Sequence, residues 1–234
     1  MNVKVMFLYN LGMTKLVKNR ILKQLHYMKS IGYNYHETLD LFTSDIKNFT
    51  LPNSIDELRN ICEHCHLCEL SKSRKNVLFG YGNRYSDIMF ISDEPTNSED
   101  ELGEFYSGKA GELLKNMIEN VLKVQKEDVY LTSLVKCKSS TGINTSSVDT
   151  CNDYLLKQIE LIKPKLIVVL GDKAYSHLLK NSNDFSQVRG KELLFNNTKL
   201  ITTFSASFLL RNPSSKKDAY YDMLKIKNIM ENLV

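Results

Sequence analysis

Residues 166–172 read Leu166-Ile167-Val168-Val169-Leu170-Gly171-Asp172. An unbroken apolar run with no polar alternation fits a strand covered on both faces. Gly171-Asp172 then ends the strand and opens a helix over 172–180. Working outward, residues 148–162 have the pattern of a helix that stops at Pro164. Asp87-Ile88-Met89-Phe90-Ile91, Val129-Tyr130-Leu131-Thr132 and Leu200-Ile201-Thr202-Thr203 are further short apolar runs. Helical patterns at 109–123 and 216–233 complete the alternation. Four such strands separated by helices predict a four-stranded parallel sheet in an α/β protein. Ligands in such sheets sit at the carboxyl ends of strands. Attention therefore falls on the segments after Ile91, Thr132, Leu170 and Thr203.

Upstream, residues 13–31 place Leu16, Ile21, Leu25 and Met28 near helical spacing among Lys and Arg. Leu51-Pro52-Asn53 marks the end of this extension, so 1–53 is expected to be a basic helical segment and 54–234 the main domain. Ser54 and Glu57 resemble a capping box for a short helix at 55–64.

Charge sharpens that division. The chain has 31 Lys plus Arg and 27 Asp plus Glu, a net of +4. Residues 1–50 hold seven basic and three acidic groups, which leaves 24 of each sign for the remainder. A neutral body disfavours broad, charge-driven coating of nucleic acid. A local basic strip stays open, and the basic amphipathic pattern of the extension suits a docking helix for a protein partner. The 234 residues contain no apolar run long enough to span a membrane and no signal-peptide pattern. A cytoplasmic monomer is expected.

Cys65 and Cys68 form a C-x2-C pair; Cys137 follows the second strand and Cys151 opens the next helix. Two thiolates from one tight turn and two from distant positions suit zinc or an iron–sulfur cluster. Spacing alone leaves both open, with zinc the commoner occupant and free buried thiols the alternative for Cys137 and Cys151. Cys62 also stands two residues from the pair, but the following x3-Cys-Pro of a bacterial ferredoxin run is absent. His64 and His66 flank these cysteines and are open to a ligand role, although an exposed histidine is the commoner reading.

From about residue 58 onward the chain resembles the family 4, iron–sulfur uracil-DNA glycosylases. The resemblance rests on many pieces in the family's order. They include Cys65-His66-Leu67-Cys68 with Arg74, Phe79-Gly80-Tyr81-Gly82-Asn83, and Ser92-Asp93-Glu94-Pro95-Thr96. Gly108-Lys109-Ala110-Gly111, Tyr130 through Cys137, Leu170-Gly171, Arg189-Gly190 and Ser207 through Pro213 follow. The resemblance implies a three-layer α/β/α sandwich. It also implies a [4Fe–4S] cluster on Cys65, Cys68, Cys137 and Cys151, in preference to zinc, with Cys62 a spare thiol. The activity implied is removal of uracil, or a related damaged base, from single- or double-stranded DNA during base excision repair. Such an enzyme flips the base out of the stack.

Several positions depart from the family pattern. By resemblance Asp93 takes the place of a water-side Glu, Ser133 that of the Asn that reads uracil, and Ser205 that of the His that stabilises the leaving base. Ser92 and Glu94 replace a Gly and an Ala at the base, and Tyr106 replaces a stacking Phe. Losing one preorganised donor costs about 10²–10³ in rate. Weak or retuned excision is therefore one expectation; an inactive DNA- or partner-binding pseudoenzyme is the other. The DNA-facing loop is better kept: Ser207, Leu209, Arg211, Lys216 and Lys217 are its expected contacts. Leu209 and Leu210 are each open to a wedge or a core reading. Ser214-Ser215 would cap the last helix.

Overall fold

The computed structural model describes residues 51–180 and 184–233, together with Leu22. The helix expected at 13–31 and nearly all of the 1–53 extension lie outside the described residues. Of that extension Leu51 packs against the core, and Asn53 accepts a hydrogen bond from Lys157 at 2.8 Å.

Leu166–Leu170 forms β4, fully buried in the middle of the sheet. It pairs in parallel with β2 (Ile88–Ser92) on one side and β6 (Thr198–Thr203) on the other. β3 (Tyr130–Ser133) pairs in parallel with the far side of β2. The register sets Leu131, Phe90, Val168 and Ile201 side by side across the sheet. These are the four strands expected from sequence.

Among the described residues the sheet nevertheless has six strands, in the order β1-β3-β2-β4-β6-β5. β1 (Tyr81–Gly82) and β5 (Glu192–Phe195) are short antiparallel edges. β5 alternates exposed and half-buried residues, so it lacks the apolar run that marks a central strand. It joins β6 through Asn196 and Asn197, both at positive φ, the geometry of a tight hairpin turn.

Strand periodicity divides the core into two clusters. Met89, Ile91, Ile167, Val169 and Leu200 face α1 (Ile55–Glu63), α4 (Thr145–Ile162) and α5 (Asp172–Leu179). Phe90, Leu166, Val168, Leu170 and Ile201 face α3 (Gly108–Asn116), α7 (Ala206–Arg211) and α8 (Lys216–Glu231). The result is the three-layer α/β/α sandwich. α2 (Asn97–Leu102) and α6 (Phe185–Val188) are short connectors. Among the described residues, no helix is long and apolar enough to cross a membrane.

Local signals explain the helix ends. Ser54 accepts from the Glu57 amide at 3.5 Å, the first half of the expected capping box. Asn144 caps α4 by accepting from Ser147, which starts that helix three residues before the expected 148. Lys163 adopts positive φ at its end, just before Pro164. α3 continues as a wider π turn over Met117–Leu122.

Candidate DNA-base pocket and cysteine cluster

The carboxyl ends of β2 and β4 open on a cavity of about 50 Å³. Ser92, Asp93 and Glu94 form its β2 side, Leu170 and Leu131 its floor, and Ser205 and Ser207 its α7 side. Phe105 supplies the aromatic wall.

Asp93 leaves β2 at this rim. Its Oδ1 accepts from the Glu94 amide at 3.0 Å. Burial raises the pKa of its carboxyl; the hydrogen bond from the Glu94 amide opposes this, the Glu94 charge adds to it, and Lys173 opposes it. A carboxylate partly shielded from water and facing a cavity can meet a developing positive charge or orient a water.

Glu94 lines the cavity, but its carboxylate is already engaged. Oε1 pairs with Lys138 Nζ at 2.8 Å, and Oε2 accepts from the Ser139 amide at 2.9 Å. It ties the pocket wall to the loop that carries Cys137. Ser92 Oγ reaches back to the Thr132 carbonyl at 3.4 Å.

Glu99, which with Asp100 also stands at family spacing, is a buried carboxylate for which the sequence predicted no site role. It closes a reciprocal capping box with Thr96 and also accepts from the Tyr106 amide at 3.0 Å. The T-x-x-E spacing of Thr96 and Glu99 was the available signal. Glu99 thus holds Tyr106, whose φ is +64°. The Tyr106 carbonyl lies so near Gly111 that a Cβ there would meet it at 2.3 Å, so only glycine fits.

Tyr106 does not line the cavity. Its ring packs edge-on against Tyr81, with centroids 5.7 Å apart, and its buried hydroxyl has no hydrogen-bond partner among the described residues. The twisted backbone turns Tyr106 into the core and leaves Phe105 at the wall. Ser133 is buried and also off the cavity lining; its hydroxyl donates to the Val135 carbonyl at 2.8 Å. Ser205 does line the cavity, but its hydroxyl caps α7 by accepting from the Phe208 amide at 3.3 Å. Of the three expected catalytic residues, Asp93 and Ser205 meet at the cavity and Ser133 stands apart.

The DNA-facing expectations are corrected at one position. Leu209 is 1% exposed and packs in the core, whereas Leu210 is 40% exposed. Ala206 and Leu209 share the inner side of α7 at helical spacing, which turns Leu210 and Arg211 outward. Arg211, Lys216 and Lys217 are exposed, and none is ion-paired to a described residue. Ser215 precedes α8 without a side-chain capping bond. Behind this loop, Asp222 accepts from Arg189 at 2.5 Å and from Thr203 at 2.8 Å. Arg189 also lies over the Phe204 ring at 4.7 Å, and Phe204 stacks on Phe208. This buried network anchors the exit of β6.

On the opposite face of the sheet, Cys62, Cys65, Cys68, Cys137 and Cys151 all join one core cluster. None forms a disulfide. Burial pushes the Cys137 thiol up to about 11 and the Cys151 thiol up to about 12. The Arg74 guanidinium opposes this at Cys137, lying 3.2 Å from its sulfur. The fully buried Lys136 donates to Thr132 Oγ1 at 2.7 Å and to the Ser133 carbonyl at 2.5 Å. Burial lowers its pKa to about 8, against the pull of Cys151, Cys62 and Cys137. Among the described residues, no three His, Cys, Asp or Glu side chains are grouped so as to hold a metal ion. In kind, however, an all-thiol set beside two cations suits a group that binds deprotonated sulfur.

The sequence comparisons agree with this architecture. Residues 79–225 match the family model of the uracil DNA glycosylase superfamily. The type-4 uracil-DNA glycosylase of Saccharolobus solfataricus is 33% identical over 190 residues, covering 77% of this chain and 88% of that protein. The type-4 enzyme of Thermotoga maritima is 35% identical over 156 residues, covering 65% and 81%. A DNA polymerase of Bacillus phage SP01 is 26% identical over 154 residues, covering 65% of this chain but 17% of the polymerase. With residues 79–225 matched in this way, more than half of its length, the chain belongs to the uracil DNA glycosylase superfamily.

Proposed function

We propose that this protein binds DNA and removes uracil, or a base like it, by hydrolysis of the N-glycosidic bond, with Asp93 as the reacting carboxylate. The half-buried Asp93 carboxylate at the mouth of an aromatic-walled cavity carries this reading. The flipped base would lie against Phe105. As the C1′–N bond breaks, its electron pair leaves with the base and the sugar becomes cationic. Asp93 stabilises that charge and orients the water that adds at C1′.

Stabilisation of the leaving base is the weak point. The Ser133 and Ser205 hydroxyls are held by Val135 and Phe208, and neither is an imidazole or an amide. Slow turnover is the expected result. The same commitments support a second reading, a protein that binds DNA without releasing a base.

One assay separates the two. Uracil-containing single- and double-stranded DNA is incubated with enzyme in excess and abasic sites are counted. The first reading predicts slow release that Asp93→Asn abolishes and that Ser133→Asn with Ser205→His accelerates. Salt-dependent binding with no release under any of these conditions establishes the second.

Cys65, Cys68, Cys137 and Cys151 are proposed to hold a [4Fe–4S] cluster. Bound there, it would cross-link the exit of α1, the loop after β3 and the start of α4, a structural role with no step on the substrate. Purified protein should carry iron and acid-labile sulfide, both lost in Cys151→Ser. Zinc without sulfide would assign the site to zinc.

A further inference from the structure

The outer face of α8 carries a feature that the cavity does not use. Tyr220 and Tyr221 are each 50% exposed, and Leu224 is 38% exposed. At about 100° per residue, Lys217, Tyr221, Leu224 and Asn228 fall in one stripe, with Lys216 and Tyr220 along its flank. Ala219, Met223, Ile226 and Ile229 point the opposite way, into the core. The stripe is about 16 Å long.

We propose that this face is a track for unpaired DNA flanking the base that enters the cavity. Aromatic rings with free faces beside unpaired cations are the means by which proteins hold single strands without reading sequence. Both are present here. The Tyr220 and Tyr221 rings lie 6.2 Å apart and are tilted by 59°, so each offers a separate surface. Lys216 and Lys217 have no described acidic partner, whereas Asp218 is occupied by Arg189 and Glu231 by Lys227. The net charge along the track is therefore positive, which complements phosphates.

Continuity with the cavity points the same way. Ser207 lines it, Leu210 and Arg211 follow on the outer side of α7, and the Pro213–Ser215 turn leads straight to Lys216. A strand whose base enters the cavity would run past these cations onto the tyrosines. A duplex cannot use the rings in this way, because its base faces are covered by their neighbours.

The inference rests on the proposed DNA-binding role, but its test does not need base excision. The full chain is titrated into a labelled, uracil-free oligothymidylate and into the matching duplex at low salt, with fluorescence anisotropy as readout. Tyr220→Ala with Tyr221→Ala should weaken single-strand binding by about five-fold or more. Duplex binding should change by less than about two-fold, because the track takes unpaired bases. Tyr220→Phe with Tyr221→Phe should retain single-strand affinity. Lys216→Ala with Lys217→Ala should flatten the salt dependence. Equal losses on the two forms of DNA would overturn the single-strand assignment. Unchanged binding in the double alanine variant would overturn the track and leave this face to a protein partner. Because the probe contains no uracil, failure of base release leaves this result intact, and intact release with no tyrosine effect sinks the track alone.

Discussion

Glu94 Oε1 lies 2.8 Å from Lys138 Nζ, so a residue in the wall of the cavity is ionically joined to the neighbour of Cys137. The same carboxylate accepts from the Ser139 amide. The cavity and the cysteine cluster are mechanically one unit at this point, although they lie on opposite sides of the sheet's carboxyl edge. Glu94→Ala should cost about 1–3 kcal/mol, since an inward-facing amide and ammonium lose their acceptor. Glu94→Gln should cost less, because its amide oxygen keeps an acceptor for one of the two donors. Urea denaturation of the two variants checks the order.

Asp93 predicts a pH dependence of stability whose sign follows from its raised pKa. The folded state holds the Asp93 proton more tightly than the unfolded chain. As pH rises from the ordinary aspartate range through the raised value, the fold must carry a partly buried charge, and this contribution to stability declines. Asp93→Asn removes that decline and should melt higher than wild type at neutral pH, with little difference well below the ordinary aspartate pKa. Thermal melts across pH test this. Base release should fall off on the acid side at a pH above the usual carboxylate range.

Leu209 and Leu210 predict opposite phenotypes. Leu209→Ala opens the core and should cost about 2–5 kcal/mol. Leu210→Ala removes an exposed side chain and should change stability by less than about 0.5 kcal/mol. If an apolar wedge fills the gap left by a flipped base, Leu210→Ala alone should weaken binding to DNA that contains a flipped abasic analogue. Denaturation and anisotropy on the same two variants separate packing from wedging.

Tyr106 carries a buried hydroxyl with no described partner. Its removal relieves a desolvation cost while the ring keeps its edge-on contact with Tyr81. Tyr106→Phe should therefore stabilise the fold by about 1 kcal/mol, seen as a higher denaturation midpoint with unchanged slope.

The chemistry of strands and ligands was legible one residue at a time. Leu166–Leu170 announced a doubly covered strand because a buried parallel strand must be apolar on both faces. The carboxyl ends of β2 and β4 followed as the place for a site, and the cavity lies there. The edge strand at Glu192–Phe195 escaped notice because an edge exposes every second residue and carries no continuous apolar signal.

Side-chain direction was a different matter. A motif aligned Tyr106 with a stacking aromatic, yet Glu99 and Gly111 hold its backbone at positive φ and turn the ring inward, so Phe105 becomes the wall. Ser133 and Ser205 were named by position, but only the folded loops show their hydroxyls engaged by Val135 and Phe208. Leu209 and Leu210 differ by one step, and one step on a helix is the difference between core and solvent. By itself the sequence determined which elements form, where the sheet opens and which sulfur atoms exist to be gathered. The tertiary structure decided which polar groups remain free at the cavity, because hydrogen bonds and backbone twists made across separate segments have no signature in the order of the residues.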